Sequence, residues 1–170
     1  MRILCANVGS TSFKYQLLDL QPGSSNRFSS SCKGVVERIG DSPSYFSHTD
    51  FADKDKPEQI RGELEAAEHL ASIQHAINLI PDLKQIDGIG FKTVFAKDIW
   101  QSAIIDQSVI QALEAYIPLA PLHNPAYLAT IRSFQQLLPQ VPLVAVLETG
   151  FHQSVPDYAC LLYTSPSPRD

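Results

Sequence analysis

Cysteine is scarce in this chain of 170 residues, which holds three. One of them, Cys160, falls in a tail that reads differently from the rest. Cys5 and Cys32 alone make neither a disulfide framework nor a metal knot, and Cys5, set in an apolar strand, is expected to be a small buried core residue. Long apolar runs are missing too. None approaches the roughly 20 residues of a membrane span, and Asn, Ser and Lys interrupt residues 1–20 where a signal peptide would be continuously apolar. Lys and Arg form no stripe, and 13 cations against 18 carboxylates give a net charge of −5, which argues against a nucleic-acid partner. The P-loop pattern G-x-x-x-x-G-K-[ST] is absent. No internal repeat or linker divides residues 1–159. These absences leave a soluble, cytoplasmic chain whose 44% hydrophobic content suffices for one core.

What the sequence does have is concentrated at its start. Ile3, Leu4, Cys5 and Ala6 form an apolar strand that enters a small polar turn, Asn7-Val8-Gly9-Ser10-Thr11-Ser12. A second strand-like run, 13–20, leaves it with Lys14 near its beginning. Gly9 lets backbone approach an anion closely, and successive amides with the Ser10, Thr11 and Ser12 hydroxyls can donate to phosphate oxygens. Asn7 offers a neutral oxygen to a Mg²⁺ shell, usually through water, and Lys14 is a point charge within reach of the same oxygens. An ordinary hairpin turn would use the same residue types.

Further along, 21–31 reads as a polar loop, 34–39 as a strand and 45–51 as another. From Pro57 to residue 80, Ile60, Leu64, Ala67, Leu70, Ile73, Ile77 and Ile80 recur at three and four residues, which predicts one long helix. His69 and His75 on it do not share a face and are read as solvated. A strand is expected at 86–94, where Gly88 and Gly90 permit close backbone approach. Then come a helix at 105–116 with Asp106 as N-cap, an irregular segment broken by Pro118, Pro121 and Pro125, a helix at 125–138, and a very apolar strand at 143–147. Glu148 stands just past that last strand, where open α/β sheets place their ligands, and His152 follows four residues later. A solvated acid at a strand end is the plainer alternative.

Three blocks, Asn7-Val-Gly-Ser-Thr-Ser-Phe-Lys14, I-P-L-A-P-L-H-N-P at 117–125, and V-P-L-V-A-V-L-E-T-G-F-H-Q-S-V-P-D-Y-A at 141–159, resemble the acetate kinase family, short-chain acyl kinases of the actin/hexokinase/Hsp70 ATPase superfamily. The resemblance implies an α/β fold, a ribonuclease-H-like mixed sheet flanked by helices, here as an N-terminal domain over 1–159. It implies transfer of the ATP γ-phosphoryl group to acetate or a related short-chain carboxylate, with ATP and Mg²⁺ as cofactors. It further implies that Asn7 helps hold Mg²⁺ and that Ser10, Ser12 and Lys14 line the phosphate site. Lys92 and Thr93 stand where the family binds substrate, Leu122 borders the acyl pocket, and His123 and Glu148 take catalytic positions. The complete protein is then expected to form a homodimer.

Departures from the family pattern cluster in one site. Where the family has G-H-R-V-V-H-G-G, this chain has Gly90-Phe91-Lys92-Thr93-Val94-Phe95-Ala96-Lys97. Lys92 replaces an Arg, exchanging a bidentate carboxylate clamp for one mobile charge. Glu148 replaces an Asp and lengthens the arm by a methylene, a misplacement that can cost roughly 10²-fold in rate. These changes admit two rivals to acetate kinase activity: a propionate or butyrate kinase, and a non-catalytic nucleotide-binding homologue serving as a scaffold or regulator. Residues 160–170, Cys-Leu-Leu-Tyr-Thr-Ser-Pro-Ser-Pro-Arg-Asp, match residue for residue the translation of a transposase sequencing adapter and are expected to be non-native. Family members run to more than twice this length and draw an adenosine pocket and further catalytic residues from a second domain, so residues 1–159 alone are expected not to turn over.

Overall fold

A computed structural model describes residues 1–21, 28–65, 69–93, 96–148 and 150. The opening hairpin forms as expected from β1 (Arg2–Val8) and β2 (Ser12–Leu20), and β3 (Phe28–Glu37), β4 (Ser44–Asp50) and β5 (Glu58–Leu64) continue it antiparallel. Helix α1 (His69–Asn78) then leads to β6 (Gly88–Thr93) and a short β7 (Ala103–Ile104). Helices α2 (Gln107–Ala115) and α3 (Asn124–Leu137) precede β8 (Leu143–Leu147). These strands make a single sheet in the order β5-β4-β3-β2-β1-β6-β8-β7. Both β1–β6 and β6–β8 are parallel, so antiparallel hairpins build one side of the sheet and helical crossovers the other.

Strand alternation gives the sheet two unlike faces. Leu4, Ala6 and Val8 of β1, Phe13, Tyr15 and Leu17 of β2, and Ile89 and Phe91 of β6 are all buried toward the helices. Phe134 of α3 is wholly buried, with its ring 6.4 Å from Phe13 and 5.4 Å, edge-on, from Phe91. That wedge fixes α3 over β1, between β2 and β6. Asp106 caps α2 as expected, its carboxylate accepting from the Ser108 and Val109 amides, and the Ser108 hydroxyl, with those amides, holds it below the usual carboxylate range. The Asn124 amide, fully buried, donates to the Leu113 carbonyl at 2.8 Å and so ties the start of α3 to α2.

Several expectations from sequence are corrected. The long helix over 57–80 is a strand followed by a shorter helix. Residues Glu58–Leu64 pair along β4, and Gly62 fits there because a Cβ would come within 2.7 Å of Phe46 Cε1. Ile60 lies 52% exposed on this edge strand, so its place in the helical periodicity was coincidental. His75 is not solvated: it is half-buried with its ring 4.4 Å from Phe46, edge-on. Cys5 is not in the core but faces the open side of β1, whereas Cys32 is buried, its thiol pushed up to about 11 mainly by that burial. Residues 28–31, read as loop, begin β3, and β7 was not anticipated. His152 and the tail 160–170 lie outside the described residues.

Candidate active site

The other face of the sheet carries the charged residues singled out in the sequence. Asn7 is exposed at the end of β1, paired with Lys14 of β2 on one side and with Lys92 of β6 on the other. All three project to the same side because an antiparallel and a parallel pairing both keep directly opposite residues on one face. They line a depression of about 380 Å³ together with Cys5, Gln16, Gly90 and Val146. The glycine matters here in a different way from that expected: nothing lies within 4 Å of where a Gly90 side chain would begin, so its bare backbone leaves the floor of the depression open. Burial against this floor raises the Cys5 thiol above its ordinary value. A larger depression of about 510 Å³, between β3, β4 and β5, contains none of the expected site residues.

At the end of β1 the turn closes tightly. The Gly9 amide donates to the Ser12 carbonyl at 2.7 Å, and a Cβ on Gly9 would approach Ser12 Oγ to 2.9 Å. Ser10 is exposed at the tip and Ser12 half-buried at the start of β2. The Ile39 amide donates to the Thr11 carbonyl at 2.9 Å, fastening the turn to the end of β3.

Glu148 follows β8 directly and reaches back over the sheet, placing Oε1 2.9 Å from Lys92 Nζ. Tyr127 is buried in α3, and its hydroxyl pKa is raised by burial and further by the charge of Glu148. The His123 ring stacks on Tyr127 with centroids 6.3 Å apart and planes 23° apart. The contacts thus join two pairs, Lys92 with Glu148 and His123 with Tyr127. Leu122 is 70% exposed on the same α2–α3 connection. Thr93 is placed apart from them: it is fully buried on the helix side, and its hydroxyl donates to the Val146 carbonyl at 3.4 Å. Alternation along β6 makes this unavoidable once Lys92 faces outward, and the next residue, Val94, lies outside the described residues.

Sequence reasoning missed Tyr127, although its spacing of four from His123 puts both on one helix face. It also missed Gln16 and Val146, which line the depression but carry no chemical signature.

The donor set bears on a metal. Among the described residues no group of three or more His, Cys, Asp and Glu converges. Asn7 and Glu148 offer a neutral amide oxygen and a carboxylate. Such a sparse set suits Mg²⁺ that keeps waters and shares substrate phosphates, and does not suit a cage made wholly of protein.

The sequence profile of the acetokinase family matches residues 2–168. The chain belongs to that family. It is 41% identical to the acetate kinase of Thermoanaerobacter pseudethanolicus over 100% of its own length and 42% of the relative's. It is 39% identical to the acetate kinase of Thermotoga maritima, over 98% of this chain and 41% of the relative. In three dimensions the acetokinase-family chain superposes on the crystal structure of Porphyromonas gingivalis acetate kinase with a TM-score of 0.77 and 30% identity, covering 92% of this chain and 39% of that one. A propionate kinase from Francisella tularensis gives 0.76 and 30%, with the same coverage. The mixed sheet with its helices is thus the fold these kinases share, and the chain spans about two-fifths of their length.

Proposed function

We propose that this chain is the N-terminal, phosphate- and acyl-binding side of a kinase that transfers the γ-phosphoryl group of ATP to acetate or a closely related short-chain carboxylate. The observation that carries the reading is the convergence of Asn7, Lys14 and Lys92 on one depression on the open face of the sheet, with Glu148 paired to Lys92. Phosphoryl transfer to a carboxylate asks for positioning and charge neutralisation more than for covalent help. In this reading the Gly9–Ser12 turn and Lys14 hold phosphate oxygens, with Ser10 and Ser12 as donors. Asn7 and Glu148 hold Mg²⁺ through their oxygens, and the metal neutralises phosphate charge when bound. Lys92 anchors the carboxylate, and Leu122 borders its apolar end.

His123, held by its stack on Tyr127, donates to oxygens that gain charge during transfer. Thr93 acts from behind the sheet, fixing β6 against β8 and thereby the height of Lys92. The adenosine pocket and further catalytic groups belong to the remainder of a longer, cytoplasmic, homodimeric protein, and residues 1–159 alone do not turn over.

The replacement of an expected Arg–Asp combination by Lys92 and Glu148 favours a second reading, a nucleotide-binding homologue without turnover. Hydroxylamine trapping of acyl phosphate separates them. The complete protein, encoded by the gene read through codon 159, should form an acyl hydroxamate from ATP, Mg²⁺ and at least one of acetate, propionate and butyrate. Binding of Mg-ATP with no hydroxamate from any of the three would make the non-catalytic reading the correct one.

A further inference from the structure

The two cations that flank Asn7 stand in different states. Among the described residues no carboxylate lies within ion-pair distance of Lys14. Lys92, on the other side, has its Nζ 2.9 Å from Glu148 Oε1. The sheet register builds that contact. Lys92 is directly opposite Val146, and Glu148 stands two residues beyond Val146, just past the end of β8, within reach of the ammonium. The extra methylene of Glu over Asp gives the carboxylate the reach to close on the ammonium. Both side chains remain about half exposed, 43% and 52%, so the contact is weak enough for a ligand to displace.

Beside Asn7 an arriving anion meets two cations, Lys14, with no carboxylate among the described residues in ion-pair distance, and Lys92, already paired. To use Lys92 it must compete with Glu148. The competitor is removed most readily by a second cation on the carboxylate, because a divalent ion outbids a single ammonium for it. Asn7 lies beside Lys92 in the neighbouring strand and can contribute its neutral oxygen to such an ion.

We propose that Glu148 is a guard on Lys92, neutralising it until a divalent cation takes the Glu148 carboxylate, so that the carboxylate substrate binds well only after the metal. The guard rests on the carboxylate-kinase reading of this site and adds to it an order of binding. It has a thermodynamic consequence, since a metal that favours acetate must be favoured by acetate to the same factor. The order also protects the reaction, because the acid is not held in place before the phosphoryl donor and its metal are present.

The test is an acetate titration of the ¹⁵N-labelled chain, followed at the backbone amides of Lys92 and Val146, in MgCl₂ and in NaCl of equal ionic strength. Mg²⁺ should tighten acetate binding by about two- to five-fold, the range expected for releasing an exposed ion pair. Glu148→Gln, an isosteric change at an exposed position, should give the same gain in NaCl alone and abolish the response to Mg²⁺. Equal acetate affinity for the wild type and Glu148→Gln, or weaker binding by the variant, overturns the guard while leaving the carboxylate site standing. Absence of any acetate-induced shift at Lys92 in both forms overturns the guard and the carboxylate reading together.

Discussion

At Tyr15 a single hydrogen bond ties together residues that sequence keeps far apart. Its ring lies across Gly34, where an added Cβ would collide with it, and its hydroxyl reaches His48 Nδ1 at 2.8 Å. Burial raises the Tyr15 phenol, so we assign it as the donor to a neutral imidazole. Burial likewise lowers the pKa of His48, partly opposed by Asp50. Below about pH 6.5 the unfolded histidine binds a proton that the folded one resists, so this contribution to stability is full above that pH and is lost as pH falls through the folded pKa. Urea unfolding at pH 7.5 and 5.5 should show the decline, and His48→Gln should flatten it. An equally steep slope in the variant would place the titration elsewhere. Gly34→Ala should cost about 1–3 kcal/mol through overpacking against the Tyr15 ring, measured by the same unfolding. None of this was legible beforehand, because partners 33 residues apart carry no local signature. Asn7 and Lys14 were singled out from the polar turn between their strands and Lys92 from the family resemblance alone. Their sharing one face comes from the strand register, which carries no local signal. Thr93 shows strand alternation working against an expectation, because the neighbour of an outward lysine must point inward.

Elements were readable where local signals agreed. The apolar strand at 143–147, the Asp106 cap and the helix beginning near Pro125 all appear with the expected type, each marked by its own start signal. The failure at 57–80 arose because the true periodicity of α1 was extended backwards through residues whose apolar spacing had no packing behind it. Pairing with β4 decides the conformation of β5, and no local propensity reports it. A pair of substitutions checks this directly. Ile60→Lys, on the exposed edge, should change stability by no more than about 0.5 kcal/mol. Ile73→Ala, at a fully buried position of α1, should cost about 2–5 kcal/mol. Comparable losses in chemical denaturation would mean that residue 60 is packed on the helix stripe after all.

The whole molecule is asymmetric in its two faces. Helices α1 and α3 cover one side of the sheet, while the other leaves Val146 47% exposed and bears the charged residues. Strands paired in parallel, as β1, β6 and β8 are, usually have both faces covered, and the relatives carry more than twice the sequence present here. On the proposed reading this face binds an anion by itself. Titration of the ¹⁵N-labelled chain with inorganic phosphate decides this. Shifts should concentrate at Asn7, Gly9–Ser12 and Lys14 and should fall sharply in Lys14→Ala. Shifts confined to the depression between β3, β4 and β5, or a Lys14→Ala variant that binds phosphate as well as the wild type, would contradict it.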